Sequence, residues 1–169
     1  MTIKKLIPNF VTLLNLFSGS VAVLFAVNNH FTAAAFFVFL GIFFDFFDGF
    51  LARKLGVQSE LGIQLDSLAD MVTSGLVPGI IMFKLIGLAC NDSAFIDLSG
   101  EWNSILHFNN FKLAPIALIG LCITLASAYR LAKFNIDEDQ QSYFKGLPTP
   151  ANTLLILSLP LIMEFQKIG

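Results

Sequence analysis

Residues 6–44 read LIPNFVTLLNLFSGSVAVLFAVNNHFTAAAFFVFLGIFF, and no Asp, Glu, Lys or Arg interrupts them. One bilayer-crossing helix needs about 20 apolar residues, so the stretch is too long for a single crossing. It fits two, joined by the polar Asn28-Asn29-His30. The rest of the chain has the same character: of 169 residues, 56% are hydrophobic, 13% are charged and 19 are phenylalanine. That composition excludes an ordinary soluble domain and predicts an all-α, polytopic membrane helix bundle.

Hydrophobic runs place five spans, at roughly 8–27, 31–53, 61–88, 113–133 and 148–165, within a single domain covering 1–169. Pro78 falls midway along the third. Between spans three and four, residues 89–112 mix polar and aromatic types, and with Trp102 they read as an interfacial loop or short helix. Residues 134–147 read as an acidic loop. Lys4 and Lys5 precede the first apolar run as in a secretory signal, but no small-x-small cleavage site followed by a soluble domain appears, which favours a retained helix.

Charge and cysteine content exclude other classes. The net charge is −2 and the basic residues form no run, so no nucleic-acid surface is expected. Cys90 and Cys122 lie far apart without a CxxC pair, which implies neither a disulfide nor a zinc site. With the N-terminus in the cytoplasm, Lys4, Lys5, Arg53, Lys54, Arg130, Lys133 and Lys145 fall on that side, against Lys112, Lys167 and the nearby Lys84. The positive-inside rule favours that orientation, with the active site at the cytoplasmic face, and the expected location is the cell (inner) membrane. His30 and His107 become loop residues of the far side.

The chemistry lies at the cytoplasmic ends of spans two and three. Asp45, Asp48, Gly49 and Ala52 are spaced i, i+3, i+4 and i+7, one stripe of a helix. Gly62, Asp66 and Asp70 step by four along the next helix. The short RKLGVQSEL connection makes the two helices antiparallel neighbours and gathers four carboxylates. Four like charges out of water cannot all stay ionised alone. Mg²⁺ or Mn²⁺, with room for two ions, removes the conflict, because hard cations favour oxygen ligands. Two-metal sites serve phosphoryl chemistry, and Arg53 suits phosphate oxygens. A proton relay or ion path is the competing reading for any single intramembrane aspartate. A cation transporter would instead carry its ligands near the bilayer midplane, often on broken helices.

The eight residues spell D-x2-D-G-x2-A-R-x8-G-x3-D-x3-D and resemble the signature of the CDP-alcohol phosphotransferases. These membrane enzymes move a phosphatidyl or similar group from a CDP-linked donor to an alcohol. The resemblance implies that Asp45, Asp48 and Asp66 bind metal and that Asp70 is a further ligand and the general base. It also implies that Gly49, Ala52, Arg53 and Gly62 line the CDP site. The segments IPNFVTLLNLFSGSVAVLFA, DSLADMVTSGLVP, YRLAKFN and KGLPTPAN are similar to the phosphatidylserine synthase branch. That branch implies CDP-diacylglycerol and L-serine as substrates, membrane lipids as surroundings and a homodimer. Glycerol phosphate or inositol phosphate as acceptor, or an ether-linked donor, would use the same chemistry. The family core has six spans against five here, so the last is either lost or lies beyond this chain.

Asn9 and Thr12, near the start of span one, either meet the cytidine or simply begin the helix. Arg130, Lys133 and Lys145 either meet the acceptor and lipid phosphate or anchor the helix ends by snorkelling.

Overall fold

The computed structural model describes residues 3–89, 115–136 and 147–166. All five expected spans are helical, and the described residues contain no strand. Helix α1 covers Ile3–Val27 and α2 covers Phe31–Leu55. Helix α3 is α-helical over Glu60–Asp70 and Val77–Ala89, with a π-helical turn over Met71–Leu76 between them. Helix α4 begins as a 3₁₀ segment, Pro115–Leu121, and continues as an α-helix over Cys122–Ile136. Helix α5 covers Thr149–Gln166. Lys145, Trp102, His107 and Cys90 lie outside the described residues.

Four of the five helices are long and apolar enough to cross a bilayer, namely Leu6–Val27, Phe31–Leu55, Glu60–Ala89 and Ile116–Ile136. The fifth expected span, α5, forms a helix of 18 residues, but Asn152 near one end and Glu164 and Gln166 at the other dilute its apolar run. The protein is an integral membrane protein. Lys84, expected near a rim, is instead buried on the α3 stripe that carries Val77 and Ile81.

The bundle is assembled through small residues. Along α1 the buried positions Pro8, Thr12, Asn15, Gly19, Ala22 and Ala26 alternate steps of four and three, the spacing of a helix–helix seam. Ala22 and Ala26 meet Ala34, Ala35 and Val38 of α2 in one core with Val77, Ile81, Ile156 and Leu157. In lipid, which is as apolar as any side chain, helices associate by such close backbone approach. The phenylalanines point the other way: Phe36, Phe39, Phe43 and Phe46 are each more than half exposed, towards lipid. The wall of aromatic rings around Asp45 and Asp48 is thus the outer surface of α2, and the aspartates occupy its inner one.

Two devices shape α3. Gly56 takes the left-handed conformation (φ 61°, ψ 33°) and ends α2, its N–H reaching Arg53 O at 3.2 Å while Val57 N–H reaches Ala52 O at 3.1 Å. This paired closure satisfies the last carbonyls, and Ser59 then caps α3 by accepting from Gly62 N–H at 3.1 Å. Farther along, Pro78 has no N–H, so the carbonyl four residues earlier, Ser74 O, loses its helical donor. Thr153 Oγ1 of α5 donates to Ser74 O at 2.9 Å, and Thr124 Oγ1 of α4 donates to Gly75 O at 3.1 Å. Thr73, Ser74 and Gly75 are buried, so these hydroxyls satisfy carbonyls of the π turn that would otherwise lack a partner.

One expectation is corrected. Helices α2 and α3 fold back on each other, but α2 makes few close backbone approaches to Glu60–Asp70; α1 packs against both. Like-charged stripes favour separation, whereas the small residues of α1 favour contact. The result is a cleft floored by α1.

Candidate active site

Carboxylates line this cleft. One oxygen from each of Asp45, Asp48 and Asp66 lies within 4.8 Å of the others. Asp48 is 5% exposed, and Asp45 and Asp66 are half-buried. Asp48 Oδ2 and Asp66 Oδ1 are buried without a hydrogen-bond partner among the described residues. A buried carboxylate oxygen left unpaired is costly, and three acids this close compound the cost. A hard divalent cation relieves both, so the donor set fits Mg²⁺ or Mn²⁺.

Asp70 stands one turn beyond Asp66 and outside this group of three, within electrostatic range of Asp45 and Asp48. Its Oδ1 accepts from Asn15 Nδ2 at 3.5 Å. The four aspartates are thus gathered around one cleft, in two roles: three clustered acids and one held apart by α1.

Helix α1 also brings the expected nucleotide-side residues to the cleft. The Thr12 hydroxyl faces the Asp48 carboxylate and also has Pro8 O as an acceptor at 3.1 Å. Asn9 lies beside Gly62, where an added Cβ would sit 3.3 Å from Asn9 Oδ1 and 3.2 Å from Ser59 Oγ. On α2, Arg53 folds back so that Nε donates to Gly49 O at 3.0 Å, with its guanidinium over the bare Gly49 backbone. Ala52 is half-buried on the same helix.

The acceptor candidates separate. Helix α4 runs along α3 with Ser127 against Gly75 and Asn135 Nδ2 donating to Ser67 Oγ at 2.9 Å. That antiparallel register sets Arg130, half-buried, level with the turn that follows Asp70. Lys133 is exposed, and its helical position turns it away from the Ser127–Asn135 face.

Sequence reasoning missed Asn15 and Thr73, both buried at the cleft floor, where Thr73 Oγ1 meets Asn15 Oδ1 at 2.9 Å. The signal that finds Asn15 is the four–three spacing of small and polar residues along α1.

Comparison with known proteins shows the family of the chain. The model of the CDP-alcohol phosphatidyltransferase family matches residues 5–168. The chain is similar to a CDP-diacylglycerol–serine O-phosphatidyltransferase of Bacillus subtilis, 32% identical over 96% of this chain and 82% of that protein. It is 34% identical to a protein of the same name from Methanocaldococcus jannaschii, over 92% of this chain and 62% of that one. An archaetidylserine synthase of Methanothermobacter thermautotrophicus is 28% identical over 96% of this chain and 61% of its own length. The chain therefore spans less than two thirds of both archaeal relatives. No solved structure gives a significant match. With a family match over nearly its whole length and the signature acids gathered in one cleft, the chain belongs to the CDP-alcohol phosphatidyltransferase family.

Proposed function

We propose that the protein transfers the phosphatidyl group of CDP-diacylglycerol to the hydroxyl of L-serine, giving phosphatidylserine and CMP. The observation that carries this reading is the cluster of Asp45, Asp48 and Asp66, with two buried oxygens lacking partners, beside a separately held Asp70. The serine acceptor is supported by the names of the relatives: bacterial and archaeal proteins alike are named for serine, although the lipid part of the name differs.

Asp45, Asp48 and Asp66, with Asp70 at the edge, would hold Mg²⁺ or Mn²⁺, in one or two ions. Bound there, a divalent ion neutralises diphosphate oxygens and makes CMP a better leaving group. Gly49 and Gly62 leave the helix backbones bare for the nucleotide, and Asn9, Thr12, Ala52 and Arg53 border it. The acyl chains remain in the leaflet beyond the cleft.

Asp70 accepts the proton of the serine hydroxyl as its oxygen attacks the phosphatidyl phosphorus. The new bond is serine O–P, and the bond broken joins that phosphorus to the CMP oxygen, which departs with the electron pair. Arg130 receives the serine carboxylate. The excess of Lys and Arg at this end of the bundle supports a cytoplasmic face, with serine arriving from the cytosol. Lys133, exposed near the end of α4, and Lys145, by its place in the sequence alone, are assigned to contact with lipid phosphate.

The test is an acceptor panel. Purified protein in liposomes containing CDP-diacylglycerol is offered L-serine, glycerol 3-phosphate or inositol phosphate, with and without EDTA. The reading expects CMP release with serine alone, abolished by EDTA. Turnover with glycerol 3-phosphate but not serine would remove the acceptor assignment.

A further inference from the structure

Asn15 is wholly buried in a helix facing lipid on its other side, and both ends of its amide have a partner. A carboxylate accepts hydrogen bonds and, when ionised, cannot donate. The Asn15 atom facing Asp70 Oδ1 at 3.5 Å is therefore the amide nitrogen. The amide oxygen then faces Thr73 Oγ1 at 2.9 Å, so the Thr73 hydroxyl must be the donor. Asn15 O, 3.4 Å from the same hydroxyl, is a second acceptor on the same side. Each link fixes the next, and the direction of the chain is Thr73 to Asn15 to Asp70.

Two glycines make room for this chain. A Cβ on Gly41 of α2 would lie 2.8 Å from Thr73 Cγ2 and 2.9 Å from Asn15 Oδ1. A Cβ on Gly19 of α1 would collide with the Thr73 side chain and come within 3.1 Å of its Cα. Three helices thus close on the pair, and both side chains are buried. Thr73 also lies inside the π turn that begins directly after Asp70, so the base and the residue anchoring its partner belong to one irregular stretch of α3.

We infer that Asn15, locked by Thr73, is a positioning residue for Asp70: it holds Oδ1 and leaves Oδ2 directed to the attacking hydroxyl. This rests on the assignment of Asp70 as base made above. A role as polar adhesive between helices would use the same hydrogen bonds without touching turnover. The two roles part in kinetics, because a misaligned base lowers kcat while donor binding is kept.

Three variants test it, each assayed for kcat, KM for CDP-diacylglycerol, CDP-lipid binding and melting temperature. Thr73→Val, nearly isosteric, should lower kcat roughly ten- to a hundredfold, the usual cost of losing an outer partner of a functional carboxylate. KM and CDP-lipid binding should stay at wild-type values, and Thr73→Ser should restore kcat. Asn15→Ala, which removes the donor without adding bulk, should show the same kcat loss and covers the case in which Thr73→Val does not fold. Wild-type kcat per CDP-lipid-binding protein in Thr73→Val or Asn15→Ala, with only the melting temperature lowered, would overturn the inference and leave the base assignment standing. Asp70→Asn, run in parallel, should be inactive; wild-type turnover there would remove the base assignment and the positioning role together.

Discussion

Thr153 Oγ1 donates to Ser74 O at 2.9 Å, the carbonyl that Pro78 deprives of its helical partner. The bond joins α5 to the π turn of α3, and Thr153 Oγ1 also lies 2.9 Å from Thr149 O within its own helix. One hydroxyl thus serves a backbone defect that the sequence creates four residues before a proline.

Replacing Thr153 by Val leaves Ser74 O without this donor in an interior that water does not reach. The expected loss is about 1 kcal/mol, and at most about 2 kcal/mol, because hydrogen bonds between membrane helices are worth less than the cost of a bare carbonyl alone implies. Thr153→Ser should be close to wild type. Melting of the detergent-solubilised protein, with both variants side by side, measures the difference.

Gly41→Ala tests the packing beneath the base. The added Cβ would stand 2.8 Å from Thr73 Cγ2 and 2.9 Å from Asn15 Oδ1, and neither group has room to withdraw. Overpacking of this kind destabilises by about 1–3 kcal/mol. Activity should fall along with stability, whereas Gly49→Ala, whose Cβ would meet only the Arg53 guanidinium at 3.8 Å, should melt like the wild type.

Arg130 and Lys133 sit one turn apart on α4, but Arg130 is half-buried and Lys133 is exposed. Arg130→Ala should raise the KM for serine roughly tenfold or more, since a lost charge-assisted contact is worth about 1.5–3 kcal/mol. Lys133→Ala should change it by less than about twofold, as expected for an exposed charge at a helix end. Initial rates of CMP release over a serine titration decide between the two.

Much of this was legible in the residues. The uncharged run 6–44 identifies a membrane bundle, and the spacing of Asp45, Asp48, Asp66 and Asp70 places four acids together because helical periodicity is local. Less legible was everything that depends on which helix stands between which. The separation of the α2 backbone from the start of α3 depends on α1 packing against both and flooring the cleft between them, and no short-range pattern encodes it. Asn15 and Thr73 lie 58 positions apart and read singly as ordinary polar residues of two spans. Pro78 was visible, but the π turn also needs Thr124 and Thr153, donors on helices far along the chain.

Mn²⁺ binding followed by electron paramagnetic resonance tests most directly whether Asp45, Asp48 and Asp66 form one divalent-cation site. Wild-type protein in saturating CDP-lipid should take up Mn²⁺ stoichiometrically and release it to EDTA. Asp48→Asn and Asp66→Asn should each weaken that binding severely while keeping a folded, helical protein. Mn²⁺ uptake of undiminished affinity in both variants would contradict the account.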